Sequence, residues 1–157
     1  MIVVDTSVAV KWVVAEPGHH DALALFDLAH PRVAPDLVLP EFAYVLRKKV
    51  IRGEITSGQM RAAIASIPSA FTQFVPSADL VDDAVAFAEK LDHSPYDCFF
   101  LACALGRGVL VSADLVFLKK CEQFGLGANV FALGANVKDL EVKLAQRATS
   151  DSPAAGA

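Results

Sequence analysis

Ile2-Val3-Val4 is a short β-branched run halted by Asp5, the pattern of a fully buried strand. A helical stretch from Ser7 to Val14 follows and is closed before Pro17-Gly18. From Asp21 to His30 apolar residues recur at helical spacing (Ala22, Leu25, Phe26, Ala29), and Pro31 ends that segment. Val33-Ala34 reads as a second strand. Asp36 is placed to cap a helix from Leu37 to about Arg52, with Pro40 tolerated in its first turn. Gly53 stops that helix, and Thr56 to about Ile67 gives another. Phe71 to Val75 reads as a third strand. Ser77 is placed to cap a helix with Leu80, Val81, Ala84, Val85 and Ala88 along one side. Pro95 opens a helix at its first position that runs through Leu105, and Gly106 to Gly108 close it. Val109-Leu110-Val111 is a fourth strand, a helix follows near Leu115 to Gln123, and Asn129-Val130-Phe131 is a fifth strand. Strands alternating with helices predict an α/β sandwich around a mainly parallel sheet of about five strands.

Composition sharpens this picture. A chain of 157 residues, 54% hydrophobic and 20% charged, is enough for one well-packed domain. That domain is expected over 1–147. The small, polar residues 148–157 carry no core formers and are expected to be a disordered tail. A mean hydropathy of +0.43 raises the question of a membrane. The longest apolar run, Cys98 to Gly106, is stopped by Arg107, well short of the roughly 18–20 residues a spanning helix needs. Met1 to Val4 lacks the positive region of a signal peptide, and Asp5 interrupts it. Cys98, Cys103 and Cys121 form no CxxC pair, so reduced core thiols in a cytoplasmic protein are expected. With 14 basic and 18 acidic residues the net charge is −4, which argues against a general nucleic-acid coat protein.

The placement of four acids changes the reading of that charge. Asp79, Asp82, Asp83 and Glu89 lie on the polar side of a periodic helix, where solvated acids belong. Asp5, Glu41, Asp97 and Asp114 instead abut strongly apolar segments, where an acid is rare unless paired or bound to metal. Asp5 and Asp114 fall at or just past the carboxyl ends of two strands, the edge at which open α/β sheets bind ligands. Asp97 lies in the first turn of its helix and Glu41 one turn into another. Taken singly, Asp5, Asp97 and Asp114 read equally well as helix caps or first-turn acids. If the four converge, they cannot all ionise at neutral pH without a compensating cation, and hard carboxylate oxygens suit Mg2+ or Mn2+. His19, His20, His30 and His93 show no zinc-type spacing near these acids and read as loop or helix-terminal residues. Hydrolysis of a phosphate ester is the chemistry such a set suggests.

The segments Val3–Ser7, Pro40–Arg47, Tyr96–Ala104 and Leu110–Phe117, in that order, resemble the successive motifs of PIN-domain ribonucleases, most of all the VapC-type toxins of toxin–antitoxin systems. The resemblance reaches to about Phe131. It implies a PIN-like, Rossmann-like α/β/α domain and a Mg2+- or Mn2+-dependent endoribonuclease with Asp5, Glu41, Asp97 and Asp114 as metal-binding acids. Ser7 and Ser112 are the implied supporting hydroxyls, Ser112 standing where the family more often has Thr. It also implies RNA as substrate, a homodimer, and a small antitoxin protein that covers the active-site groove. Arg47, Lys48, Lys49 and Arg52 share the helix of Glu41, and Lys119-Lys120 follow Asp114. Arg47, Lys48 and Lys119 are the candidate phosphate contacts, against a solvated helix end as the plain alternative. Trp12, Tyr44 and Tyr96 are candidate base-stacking or packing aromatics.

Three other readings compete. A haloacid-dehalogenase-like, Mg2+-dependent phosphatase also begins with an Asp after its first strand, but needs a second Asp where Ser7 stands. A receiver domain needs an acidic pair that Thr6-Ser7 do not supply. A catalytically silent PIN-like interaction module remains open, and metal binding separates it from the enzyme.

Overall fold

A computed structural model describes residues 1–150. β1 (Ile2–Val4) is buried along its whole length at the middle of a five-stranded sheet. β2 (Arg32–Pro35) pairs with one edge of it and β4 (Val109–Ser112) with the other. β3 (Gln73–Val75) and β5 (Val130–Ala132) lie outside these, giving the order β3-β2-β1-β4-β5 with every pair parallel. A parallel sheet covered on both faces explains why its strands read as unbroken apolar runs rather than alternating ones.

The order of strands fixes where a site can form. The chain winds outward from β1 through β2 to β3, then crosses back to β4 on the other side of β1. The boundary between β1 and β4 is therefore the topological switch point, and a crevice opens at the carboxyl ends of these two strands. Val4 is in register with Val111, so the residues that follow, Asp5 past β1 and Ser112 at the last position of β4, come side by side at the carboxyl edge. At the opposite ends Gly108 passes so close to Met1 that a Cβ there would lie 1.9 Å from the Met1 carbonyl oxygen, and only glycine fits.

Among the described residues eight α-helices cover the sheet. α1 (Thr6–Ala9) leads into a 3-10 turn over Val10–Trp12, and α2 (His19–Ala24) is short. α3 (Val38–Ile51), α4 (Ser57–Ser66), α5 (Val81–Leu91), α6 (Pro95–Ala104) and α7 (Leu115–Gln123) stand close to their expected places. α6 is apolar almost all round and packs on β1, β2 and β4. It reaches the start of β4 through residues 105–108, so its first turn faces the carboxyl edge of the sheet. α3 leaves the carboxyl end of β2 and likewise begins at that edge.

Several expectations change. The helix expected over Asp21–His30 stops at Ala24, because the Trp12 indole N–H takes the Ala22 carbonyl at 2.9 Å and the next turns close at i→i+3. Trp12 is thereby a core residue. Asp36 and Ser77 cap no helix; the Ser77 hydroxyl and backbone N–H both donate to the Asp36 carboxylate, joining the ends of β2 and β3. α5 turns Ala84 and Leu91 inward, with Leu80 buried just before it, and leaves Val81 and Val85 exposed. α8 (Val137–Ser150), unassigned by the periodicity above, docks through Leu140 and Leu144, four residues apart and both buried. Of the tail expected over 148–157, residues 148–150 continue α8 and 151–157 lie outside the described residues. Cys98, Cys103 and Cys121 are free and buried, and burial pushes their thiols up to about 11, 11 and 12. Among the described residues no helix is long and apolar enough to cross a membrane.

Candidate active site

Asp5 ends β1 and caps α1. Its Oδ1 accepts the Val8 N–H at 3.1 Å and the Ser7 hydroxyl at 2.5 Å. Ser7 in turn accepts the Ala113 N–H at 3.0 Å, tying the turn after β1 to the turn after β4. Ser112, wholly buried, completes the reciprocal tie: its hydroxyl accepts the Asp114 N–H at 3.0 Å and lies close enough to stabilise the Asp5 carboxylate. The two hydroxyls thus stitch the switch point together. Burial nevertheless dominates at Asp5 and raises its carboxyl above the ordinary range, against the lowering effect of Ser112, Ser7 and the Val8 N–H.

Asp114 caps α7, accepting the Val116 and Phe117 N–H groups through Oδ1 at 2.9 and 3.0 Å. Glu41 projects from the first turn of α3, where Thr6 donates its hydroxyl to Oε2 at 2.7 Å. Burial, then the charges of Asp97 and Asp5, raise the Glu41 carboxyl. Asp97, in the first turn of α6, is raised by burial and by the charge of Asp114, with the His93 imidazole pulling the other way. His93 Nε2 lies 3.0 Å from Asp97 Oδ2, not aligned for a hydrogen bond, and its ring stacks on Phe117 with centroids 4.6 Å apart.

These interactions form a chain of like charges, Asp5 to Glu41 to Asp97 to Asp114. No Lys or Arg forms an ion pair with any of the four among the described residues. The side chains as they stand do not close around one point: among the described residues no three acidic, His or Cys side chains are near enough to hold a metal ion. The donor set itself suits a hard divalent cation, since it is all carboxylate oxygen and its members disfavour one another's charged forms.

Glu41, Asp97, Thr6 and Ser7 line one end of a cavity of about 490 Å³. Asp5 and Asp114 are not part of its lining. The other end is basic, with Lys11, Lys48, Lys49 and Arg52 around Glu16, and Lys48 rests on the Tyr44 ring at 4.3 Å. Of the candidate phosphate contacts Lys48 lines this cavity. Arg47 and Lys119 are exposed elsewhere.

A model of the PIN domain matches residues 2–123. The chain belongs to the PIN-domain family. PIN domains are in general metal-dependent nucleases, so membership brings a nuclease-type function and a connection to RNA. No curated protein matches the chain. The PIN match ends with α7 at Gln123, short of the Phe131 expected from the motifs, so β5 and α8 lie beyond it. Within the PIN fold two residues stand in the site without a role assigned from sequence. Thr6 was hidden by its neighbours Asp5 and Ser7, although a hydroxyl beside an acid is a plausible partner for a second acid. His93 precedes Asp97 by four residues, the spacing that puts two side chains on one helical face, but it lies before the helix begins at Pro95.

Proposed function

We propose that the chain is a metal-dependent endoribonuclease of the VapC type, the toxin of a toxin–antitoxin pair, working as a homodimer and silenced by a small antitoxin protein. The observation that carries this reading is the run of four mutually repelling carboxylates at the switch point, none of them paired with a Lys or Arg among the described residues and only Asp97 with an imidazole beside it. Asp5, Asp97, Asp114 and Glu41 would hold Mg2+, with Mn2+ as a substitute. When bound, the ion supplies positive charge against the phosphodiester and makes a water acidic enough to attack it near neutral pH.

The chain's own groups do the positioning. Ser7, Val8 and Ser112 fix Asp5 at the end of β1, and the first N–H groups of α7 fix Asp114. Thr6 orients the Glu41 carboxylate through its hydroxyl, and the His93 imidazole lies 3.0 Å from the Asp97 carboxylate. The cavity lets single-stranded RNA approach along its basic wall with the scissile phosphate at the acidic end.

Purified protein incubated with total RNA is expected to cut it in Mg2+ or Mn2+ and to stop on adding EDTA. Sequencing the new ends then identifies the target. Co-purification of a small protein that blocks this cutting supports the toxin role. A second reading, the silent PIN-like module, is favoured by the open arrangement of the acids. Absence of Mn2+ binding in a calorimetric titration decides for the module.

A further inference from the structure

At the basic end of the cavity, Glu16 is held between two lysines that come from different parts of the chain. Lys11 reaches its Oε1 at 2.7 Å from the turn after α1, and Lys49 reaches its Oε2 at 2.6 Å from the last turn of α3. All three side chains are largely shielded, 14%, 13% and 23% exposed for Lys11, Lys49 and Glu16. Burial alone would push the Glu16 carboxyl up, but the two lysines overcome it and hold the group below the ordinary range. Glu16 is therefore a firmly charged monoanion gripped at both oxygens by two ammonium groups.

We infer that Lys11 and Lys49 form a phosphate subsite of the RNA groove that Glu16 occupies in the free protein, so that RNA must displace this carboxylate to bind. The inference rests on the ribonuclease reading above and says where the strand runs. A phosphodiester carries the same single charge and presents two non-bridging oxygens to the same pair of donors, so exchange conserves charge. The position suits a strand that reaches the acids. Lys49 follows Glu41 by eight residues on α3, about 12 Å along the helix and near the same face. Both residues line the same cavity. Arg52 and Lys48 flank the subsite, and Lys49 keeps Glu54 at 2.8 Å as its second partner. Glu16 lies outside the sheet between Val14 and Pro17, with its backbone held by the Val14 carbonyl and the His19 N–H, so displacing its carboxylate asks only a rotation of the side chain. Its carboxylate thus sets a threshold: nucleic acid binds only where the rest of the groove contributes enough to replace it, which favours a particular RNA over bulk polyanion.

The test is the affinity of the full chain for single-stranded RNA in EDTA, where metal-dependent cutting does not intervene, measured by fluorescence anisotropy across a salt series. Glu16→Gln is expected to tighten binding about fivefold at low salt. The slope of log affinity against log salt stays level, because the strand makes the same phosphate contact in both proteins once the carboxylate is displaced. Adding Lys49→Ala to Glu16→Gln abolishes the gain and makes the salt dependence shallower, because a phosphate contact is lost. Unchanged affinity in a folded Glu16→Gln protein, with the wild type binding measurably, overturns the subsite and leaves a structural clamp. Failure of both proteins to bind RNA overturns the ribonuclease reading with it. Should Glu16→Gln lose its cooperative melt, Glu16→Ser is read in the same way.

Discussion

Asp5 and Asp114 close strands, Glu41 and Asp97 open helices, and the two pairs are held in opposite ways. Each strand-end carboxylate is wrapped by the chain around it, Asp5 by the Ser7 hydroxyl and Val8 N–H, Asp114 by the Val116 and Phe117 N–H groups. Each helix-borne carboxylate has one side-chain partner, Thr6 for Glu41 and His93 for Asp97, and both face the cavity. The strand-end acids are thus part of the fold as helix caps, each contributing about 0.5–2 kcal/mol. Burial disfavours the ionised form of Asp5 as well as those of Glu41 and Asp97, but Glu41 and Asp97 also bear the repulsion of neighbouring carboxylates with a single side-chain partner each. The contrast separates the acids that hold the switch point together from those presented to a ligand.

Removing charge from the helix-borne pair gives the largest expected effect. Glu41→Gln and Asp97→Asn are each expected to cut RNA cleavage by on the order of 10³-fold, the several kcal/mol carried by a lost cation ligand. Tm in EDTA stays level or rises, because a disfavoured carboxylate is gone. Full cleavage by either variant breaks the proposed assignment, and a large fall in Tm breaks the comparison.

The strand-end pair is expected to lose activity and stability together. Asp5→Ala deprives the buried Val8 N–H and the Ser7 hydroxyl of their acceptor and costs about 2 kcal/mol. Asp114→Ala uncaps α7 alone and costs about 1 kcal/mol. Urea denaturation in EDTA reads both, and equal stabilities for Asp5→Ala and Asp97→Asn would erase the distinction.

The pH dependence sharpens it further. Glu41 and Asp97 have folded values raised above 4.5 and 3.8, so the stability tied to them is complete below those values and lost as pH rises through the folded ones. Glu16 and Asp36 are lowered and act with the opposite sign, losing stability as pH falls. The difference between wild type and variant isolates the site. In EDTA, Glu41→Gln is expected to melt a few degrees above wild type at pH 7 and level with it near the bottom of the carboxylate range. A gap that widens on acidification contradicts the raised Glu41 carboxyl.

The same contrast explains what was legible in the chain. An acid that halts a β-branched run declares itself, and Asp5 and Asp114 stand at the carboxyl edge for that reason. Glu41 and Asp97 were legible as acids in first turns of apolar helices. Their partners were not, because they depend on how α3 and α6 lie over the sheet. The hydroxyl of Thr6 meets an acid 35 residues away, and the ring of His93 is set by stacking on Phe117 from another helix. Asp36 and Ser77 show the limit most plainly: each is a sound local cap signal, yet they satisfy one another across 41 residues because parallel pairing of β2 and β3 brings their ends together. Trp12 likewise ends α2 by taking a carbonyl that the helix needed, a competition invisible to periodicity.

Thr6 gives the smallest effect and the finest test of the comparison. Its hydroxyl is the one bond that lowers the Glu41 carboxyl against burial and the charges of Asp97 and Asp5. Thr6→Val keeps the β-branched shape in α1 and removes only that donor, a loss of about 1.4 kcal/mol and so roughly tenfold in cleavage. The Glu41 carboxyl then rises further, so the acid limb of the cleavage profile moves to higher pH. Thr6→Ser restores the donor and is expected to restore both rate and profile. If the helix-borne acids were held as firmly as the strand-end pair, Thr6→Val would leave the profile where it stood, because other groups would keep the Glu41 carboxylate ionised.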